Sequence, residues 1–432
     1  MAGSHPVTGG EDDRGPLRAA FGGLTTRGRS FLAAGGAAAV CAYALGQPDL
    51  LRVGVLLAAL PVLCVLVLHR TRSRVAAARR LTPARVAAGS EARVHLRVEN
   101  VARIPSGLLL LQDRVPYVLG PRPRFVLDRI EPGGRREVTY RVRSDARGRY
   151  PLGPLQLRLA DPFGMVELSR SFNAYDLMTV LPRIDALPPV RLGGDSTGHG
   201  EGTRRTIAVA GDDDIIPRDY RHGDDLRRVH WRSTAHRGSL MVRREEQPLR
   251  ARCTVLLDTR RGGFMGAGPE SPFERAVSGA ASAVAHMMTQ GYDVRLVTDT
   301  GTLLPGPDTE ARDAGEVTGL IMDALAVIDH SPDNGMEKAR AALRGVDSGL
   351  LIAFLGTVGS AQLAELGPMR QRATGAVAFV AAGQLDPAFE ADRLHRLQQA
   401  GWTALAHYPG VPLARLWQQA ALELAGSGRG PY

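Results

Sequence analysis

Residues 254–258 read T-V-L-L-D, residues 273–290 F-E-R-A-V-S-G-A-A-S-A-V-A-H-M-M-T-Q, and residues 294–298 V-R-L-V-T. The first and last are short apolar runs of strand length. The middle run places its apolar residues at helical spacing and stops at Gly291, so the order is strand, helix, strand. Further apolar runs at 350–355, 376–381 and 403–406 are separated by helical stretches, and a last helical stretch follows Pro412. Alternating units of this kind predict a parallel, doubly wound α/β domain over residues 251–426. Ligands of such sheets sit at the carboxyl ends of the strands, and Asp258 stands there, directly after the first.

A von Willebrand A-type domain has this architecture and binds a divalent cation through D-x-S-x-S after its first strand. Here the run is Asp258-Thr259-Arg260-Arg261-Gly262, with arginine at one serine position. Hard cations need several oxygen ligands, and Arg260 would repel one. Gly356 and Thr357, not an aspartate, follow the run at 350–355. Asp258 is thus only a weak metal candidate, and no metal or cofactor is expected. The chain has no G-x-x-x-x-G-K-[ST] loop, and its sole lysine, Lys338, lies outside any glycine-rich context. No catalytic residue stands out. The glycine-bearing stretch at 193–202 reads as a link rather than a phosphate cradle.

Upstream, the period changes to two. Val94, Leu96 and Val98 alternate with polar residues, as do Val138, Tyr140 and Val142, and Leu155, Leu157 and Leu159. Turn signals separate the runs at 131–134, 147–150 and 161–164 (D-P-F-G). The pattern predicts an antiparallel β-sandwich over 83–183. Before it come two uncharged apolar runs, 30–45 and 53–68, joined by a short turn. Each is close to the length that crosses a bilayer. Arg14, Arg18, Arg27 and Arg29 precede the first run; Arg70, Arg72, Arg74, Arg79 and Arg80 follow the second; the turn holds only Arg52, offset by Asp49. The positive-inside rule predicts a two-span hairpin over 27–69 in the cell membrane, with both termini cytoplasmic. Residues 1–26 then read as a flexible tail and 70–82 as a basic linker.

The composition suits a globular chain, and the net charge of +10 suggests anionic neighbours. Arginine supplies all the basic residues but one, so a basic patch must exceed that background. None of Cys41, Cys64 and Cys253 has metal or redox spacing with another, which fits a reducing compartment.

Between the two domains, residues 184–250 hold the densest charge. Residues 218–246 contain eight arginines, five acids, three histidines and Trp231. The histidines at 222, 230 and 236 do not share a helical face, which disfavours a zinc motif. Acids enriched beside arginines argue against a nucleic-acid patch, which is usually poor in acids. Asp224 or Asp225 can cap a short helix over 226–233, and residues 239–243 alternate like an edge strand. Three readings stay open. The segment is an internal ion-pair lattice, a partner-docking surface built on Trp and Arg, or a site for an anionic ligand such as nucleic acid or acidic lipid.

This segment also resembles the signature of the bacterial family called domain of unknown function 58. Arg218, Tyr220, Gly223, Asp224, Asp225, Arg227, Val229, Trp231, Thr234 and Ala235 carry the match, then Leu240, Val242, Arg243 and Glu245; Arg232 belongs to the same run. Asp213 and Asp214 depart from the usual Glu-Phe before the signature, and His236 replaces its last arginine. The resemblance implies a two-helix anchor, a β domain ending in D-P-F-G and a von Willebrand A-like domain. It also implies neighbours: a MoxR-type AAA+ ATPase, and a transglutaminase-like membrane protein beside it. The implied role is a non-enzymatic membrane scaffold or adaptor in the assembly or maturation of other proteins.

Overall fold

The computed structural model describes residues 22–72, 75–103, 105–106, 108–161, 163–190, 192, 217–220, 229, 231–243, 251–306, 309, 313–345, 349–383 and 385–427. Contacts divide the chain into two units: Met1–Arg183 with Met322–Ile328, and Ile184–Ile321 with Asp329–Tyr432.

The first unit opens with two antiparallel helices, α1 (Thr26–Leu45) and α2 (Pro48–Arg72). Thr25 caps α1 by accepting from Gly28 N, and Gly46 ends it in the left-handed region at φ 63°. Thr26–Leu45 and Pro48–Val67 are long and apolar enough to be candidate membrane spans. Their contact is made by backbone. A Cβ on Gly35 would stand 2.8 Å from Gly54 O, and one on Gly54 would stand 2.9 Å from Gly35 O. Small residues permit such an approach, and in lipid that packing replaces the absent hydrophobic drive. Val40, Tyr43, Val55 and Leu56 point away from the contact and are exposed.

Ten strands follow: β1 (Val75–Thr82), β2 (Arg85–Ala87), β3 (Glu91–Asn100), β4 (Leu108–Asp113), β5 (Arg124–Leu127), β6 (Arg135–Arg143), β7 (Gly148–Leu152), β8 (Leu155–Ala160), β9 (Glu167–Phe172) and β10 (Asp176–Leu181). They form three sheets, ordered β1-β3-β6, β2-β10-β7 and β5-β4-β8-β9. The ladders are antiparallel except β2 with β10, which is parallel. Val94, Leu96 and Val98 turn inward from β3 and meet Leu109, Leu111, Leu157, Leu159 and Met178 in one core. The period-two reading of these runs is visible in their burial.

Two boundaries need correction. Residues 75–82, expected in the basic linker, form β1 and pair along their full length with β3. One of the charges that suggested a linker, that of Arg79, is internally neutralised. Arg79 is buried; its Nη2 reaches Asp113 Oδ1 at 2.5 Å, its Nε reaches Oδ2 at 3.0 Å, and its Nη1 reaches Asp176 at 3.1 Å. Tyr140 also donates to Asp113 at 2.6 Å, and burial first, then Asp113, pushes the phenol pKa upward. The end of the expected tail is likewise pinned: Leu24 is buried and bridges Val166.

In the second unit, β11 (Pro217–Asp219) pairs antiparallel with β12 (Met241–Arg243), and α3 (Trp231–Arg237) lies between them in sequence. A six-stranded sheet follows, built from β13 (Arg252–Leu257), β14 (Asp293–Thr298), β15 (Leu303–Leu304), β16 (Leu350–Leu355), β17 (Gly375–Ala381) and β18 (Thr403–His407). Interleaved with them are α4 (Pro272–Thr289), α5 (Ala314–Val327), α6 (Glu337–Ala342), α7 (Ser360–Gln371), α8 (Pro387–Gln399) and, last, α9 (Leu413–Ser427). The order is β15-β14-β13-β16-β17-β18, parallel except for the short edge strand β15. Every residue of β16 is buried, as a strand covered on both faces requires. Leu351, Ala353 and Leu355 meet Leu366, Leu397 and Trp402 on one face. On the other, Phe354 stacks on Phe379 at 5.2 Å, and Phe379 on Trp417 at 6.1 Å.

Two outcomes are expected. Gly35→Ala and Gly54→Ala will each lower resistance to unfolding in detergent, read by circular dichroism, although alanine is the better helix former by about 1 kcal/mol. Arg79→Met will cost about 3–5 kcal/mol in chemical denaturation, since it strands a buried carboxylate; adding Asp113→Leu will recover much of the loss.

Candidate functional site

The order of strands in the second unit reverses at β13, so the crevice beyond its carboxyl end is where a doubly wound sheet places its site. Asp258 is there and fully buried. Its backbone N donates to Phe354 O, continuing the pairing with β16. Its Oδ1 accepts from Arg260 N at 3.0 Å and Arg260 Nε at 2.9 Å. Its Oδ2 accepts from Arg260 Nη2 at 2.7 Å and Gly356 N at 2.9 Å. Burial raises the carboxyl pKa above the ordinary range, while the guanidinium and the two backbone N–H groups pull toward the ionised form.

Arg260 does more than balance charge. Nη2 also donates to Thr357 O at 3.1 Å, and Nη1 to Asn334 O at 3.4 Å. One side chain therefore ties together the loops that follow β13 and β16 and the segment around residue 334. A second buried carboxylate, Asp299, stands just after β14. It accepts from Thr259 N at 2.7 Å, Thr259 Oγ1 at 2.5 Å and Ser331 Oγ at 2.6 Å. Sequence reading missed Asp299, although the rule that singles out Asp258 applies equally to it. The residues do not fit a divalent cation, because a guanidinium engages both oxygens of Asp258. Among the described residues no cluster of three His, Cys, Asp or Glu could hold a metal.

The charged segment is described in part. Gly223, Asp224, Asp225, Arg227 and Glu245 lie outside the described residues, as do His222 and His230. Backbone alone is described for Arg218 and Arg243, which sit in β11 and β12. The ladder brings the two ends of the signature together: Arg218 is opposite Val242, and Tyr220 N donates to Leu240 O at 2.8 Å. Residues 226–228 and 230 of the helix expected over 226–233 lie outside the described residues and Val229 is not helical; α3 begins only at Trp231 and runs on to Arg237. Gly238, at φ 74°, stops it, and its N donates to Thr234 O. Thr234 Oγ1 then accepts from Met241 N at 3.0 Å, which turns the chain into β12. Met241 and Val229 are buried, whereas Trp231 is 71% exposed. Arg232, His236 and Arg237 are exposed on the same helix. Neither Arg232 nor Arg237 makes an ion pair with a described residue.

Residues 217–390 match a family model described as Protein of unknown function DUF58. This part of the chain is a DUF58 region. It begins with β11 and takes in the signature segment, the Asp258–Arg260 pair and the sheet through β17. No curated protein matches the chain. Several solved structures are distantly similar. The CARDB domain of a Pyrococcus furiosus protein, in complex with di-metal ions, is 16% identical at a TM-score of 0.19, covering 25% of this chain and 94% of that one. Spo0M, a sporulation control protein from Bacillus subtilis, is 15% identical at 0.16, covering 25% and 49%. The alkylpurine DNA glycosylase AlkC of Pseudomonas fluorescens is 16% identical at 0.17, covering 30% and 40%. This chain thus spans half or less of the latter two.

If the guanidinium stands in for a cation, added Mn²⁺ will leave the melting temperature of the wild-type chain unchanged. Arg260→Ser will melt lower, and millimolar Mn²⁺ will then raise its melting temperature by a few degrees, as ligand linkage requires.

Proposed function

We propose that this chain is a membrane-anchored, cytoplasm-facing adaptor, without catalysis of its own, that docks a MoxR-type AAA+ ATPase and serves the assembly or maturation of other proteins. The observation that carries the reading is the exposure of Trp231. A tryptophan held out on α3, a helix that also exposes Arg232 and Arg237, offers the residue types that dominate protein–protein hot spots. A purely internal lattice would instead bury that ring.

The hairpin supplies the anchor, and the arginines flanking it favour a cytoplasmic location for both ends. The doubly wound sheet, with an aspartate closing its first strand, supports a von Willebrand A-like reading of the second unit. Arg260 on that aspartate speaks against cation-dependent adhesion. A transglutaminase-like membrane protein is a further proposed neighbour.

The test is co-purification from membranes with the neighbouring ATPase. Wild type will retain it, whereas Trp231→Ala and Arg227→Ala will each lose at least tenfold of the captured ATPase, at unchanged levels of the chain itself. Equal capture by all three, or none by wild type, would sink the docking reading. Salt-sensitive binding of nucleic acid or acidic vesicles by residues 75–427 would favour an anionic ligand instead.

A further inference from the structure

The D-P-F-G turn joins β8 to β9, and the structure clamps it onto the start of α1. Thr25 N donates to Met165 O at 2.9 Å, and Thr25 Oγ1 to Gly164 O at 2.7 Å. Glu167 N returns a bond to Gly23 O at 2.8 Å, and Leu24 bridges Val166. Asp161 shapes the turn by accepting from Phe163 N at 3.1 Å and Val166 N at 2.7 Å. These bonds fix the turn relative to the hairpin.

They also fix its depth. Gly35 faces Gly54, so the antiparallel register sets residues near 25 level with residues near 64. Cys64 and Val65 enter the β-unit core with Leu24 and Val166, whereas Val53, Val55, Leu56, Leu63 and Val40 stay uncovered. The β unit thus packs against one end of the hairpin, taking in Cys64 and Val65 and touching Phe31, Leu32 and Leu60, while apolar residues on the uncovered side run on to Leu66 and Val67. From Thr26 onward α1 spans about 30 Å, the thickness of a hydrocarbon core. Phe163, 59% exposed, lies at the Thr25–Arg27 end of that span, beside Gly164 and Met165, whose carbonyls accept from Thr25. Arg27 and Arg29, both exposed, lie on the adjoining turn of α1, with Arg27 Nη1 3.7 Å from the Cβ position of Gly164. An aromatic ring beside arginines at the end of a span is the arrangement that the headgroup layer favours.

We propose that the β8–β9 turn is a membrane-contact element, with Phe163 seated in the headgroup layer of the bilayer that holds the hairpin. This rests on the membrane-anchored part of the function proposed above and is independent of the ATPase. The test uses the full chain in vesicles of phosphatidylcholine and phosphatidylglycerol, with lipids brominated high on the acyl chain. Phe163→Trp is compared with its parent, and Val55→Trp reports the middle of α2. The extra emission of Phe163→Trp should be quenched by the shallow bromines and several-fold less by aqueous iodide than that of free tryptophan. Full iodide quenching with no bromine effect, while Val55→Trp is quenched by deep bromines, would overturn this inference and leave the anchor standing. If neither position senses bromine, the anchor fails and this inference with it.

Discussion

The guanidinium of Arg260 closed on Asp258 is the contact on which the second unit depends. A doubly wound sheet must bring loops together where its strand order reverses, and those loops expose backbone groups that need partners. Here one buried ion pair supplies them. Asp258 receives the N–H of Gly356, Arg260 reaches the carbonyls of Thr357 and Asn334, and the neighbouring Asp299 gathers Thr259 and Ser331. A buried pair of this kind adds little net stability over an apolar replacement, but losing either partner is costly. Its effect is to specify one arrangement of the loops. The position where related architectures can carry chemistry is thus occupied by structure.

The first unit uses the same device. Arg79 enters the β core only because Asp113, Asp176 and the Leu152 carbonyl receive it. Both units therefore place a planar, permanently charged fork against a carboxylate held by several donors, which a lysine could not match in geometry. In a chain with a single lysine, arginine takes on structural work that other proteins assign to varied residues.

That use of arginine explains where sequence reading succeeded and where it stopped. The α/β strands, the helix at 272–289 and the strands around Val94, Val138 and Leu157 were legible because each buries apolar side chains at a clear period. The two apolar helices were legible from length alone. Residues 75–82 were not, because Arg79 and Arg80 broke the apolar pattern, and the partner that neutralises Arg79 lies 34 residues away. Arg260 was read correctly as hostile to a cation, yet its grip on Asp258 required the backbone turn between them. Asp299 stands after a strand as Asp258 does and could have been singled out by the same rule; what was not legible is its partners, the hydroxyls of Thr259 and Ser331, 40 and 32 residues away. In the charged segment, pairing of β11 with β12 depends on contacts across more than twenty residues, which local propensity does not encode.

The contact between Gly35 and Gly54 bears on mechanics. Two helices that touch through their backbones have little freedom to slide or splay, so the hairpin moves as a single lever. The bonds from Gly23 and Thr25 to the β8–β9 turn extend that lever into the β core. The tilt of the hairpin and the orientation of the β unit are then one coordinate rather than two. A change in the thickness of the surrounding layer that leans the helices must rotate the attached sheets through the same angle.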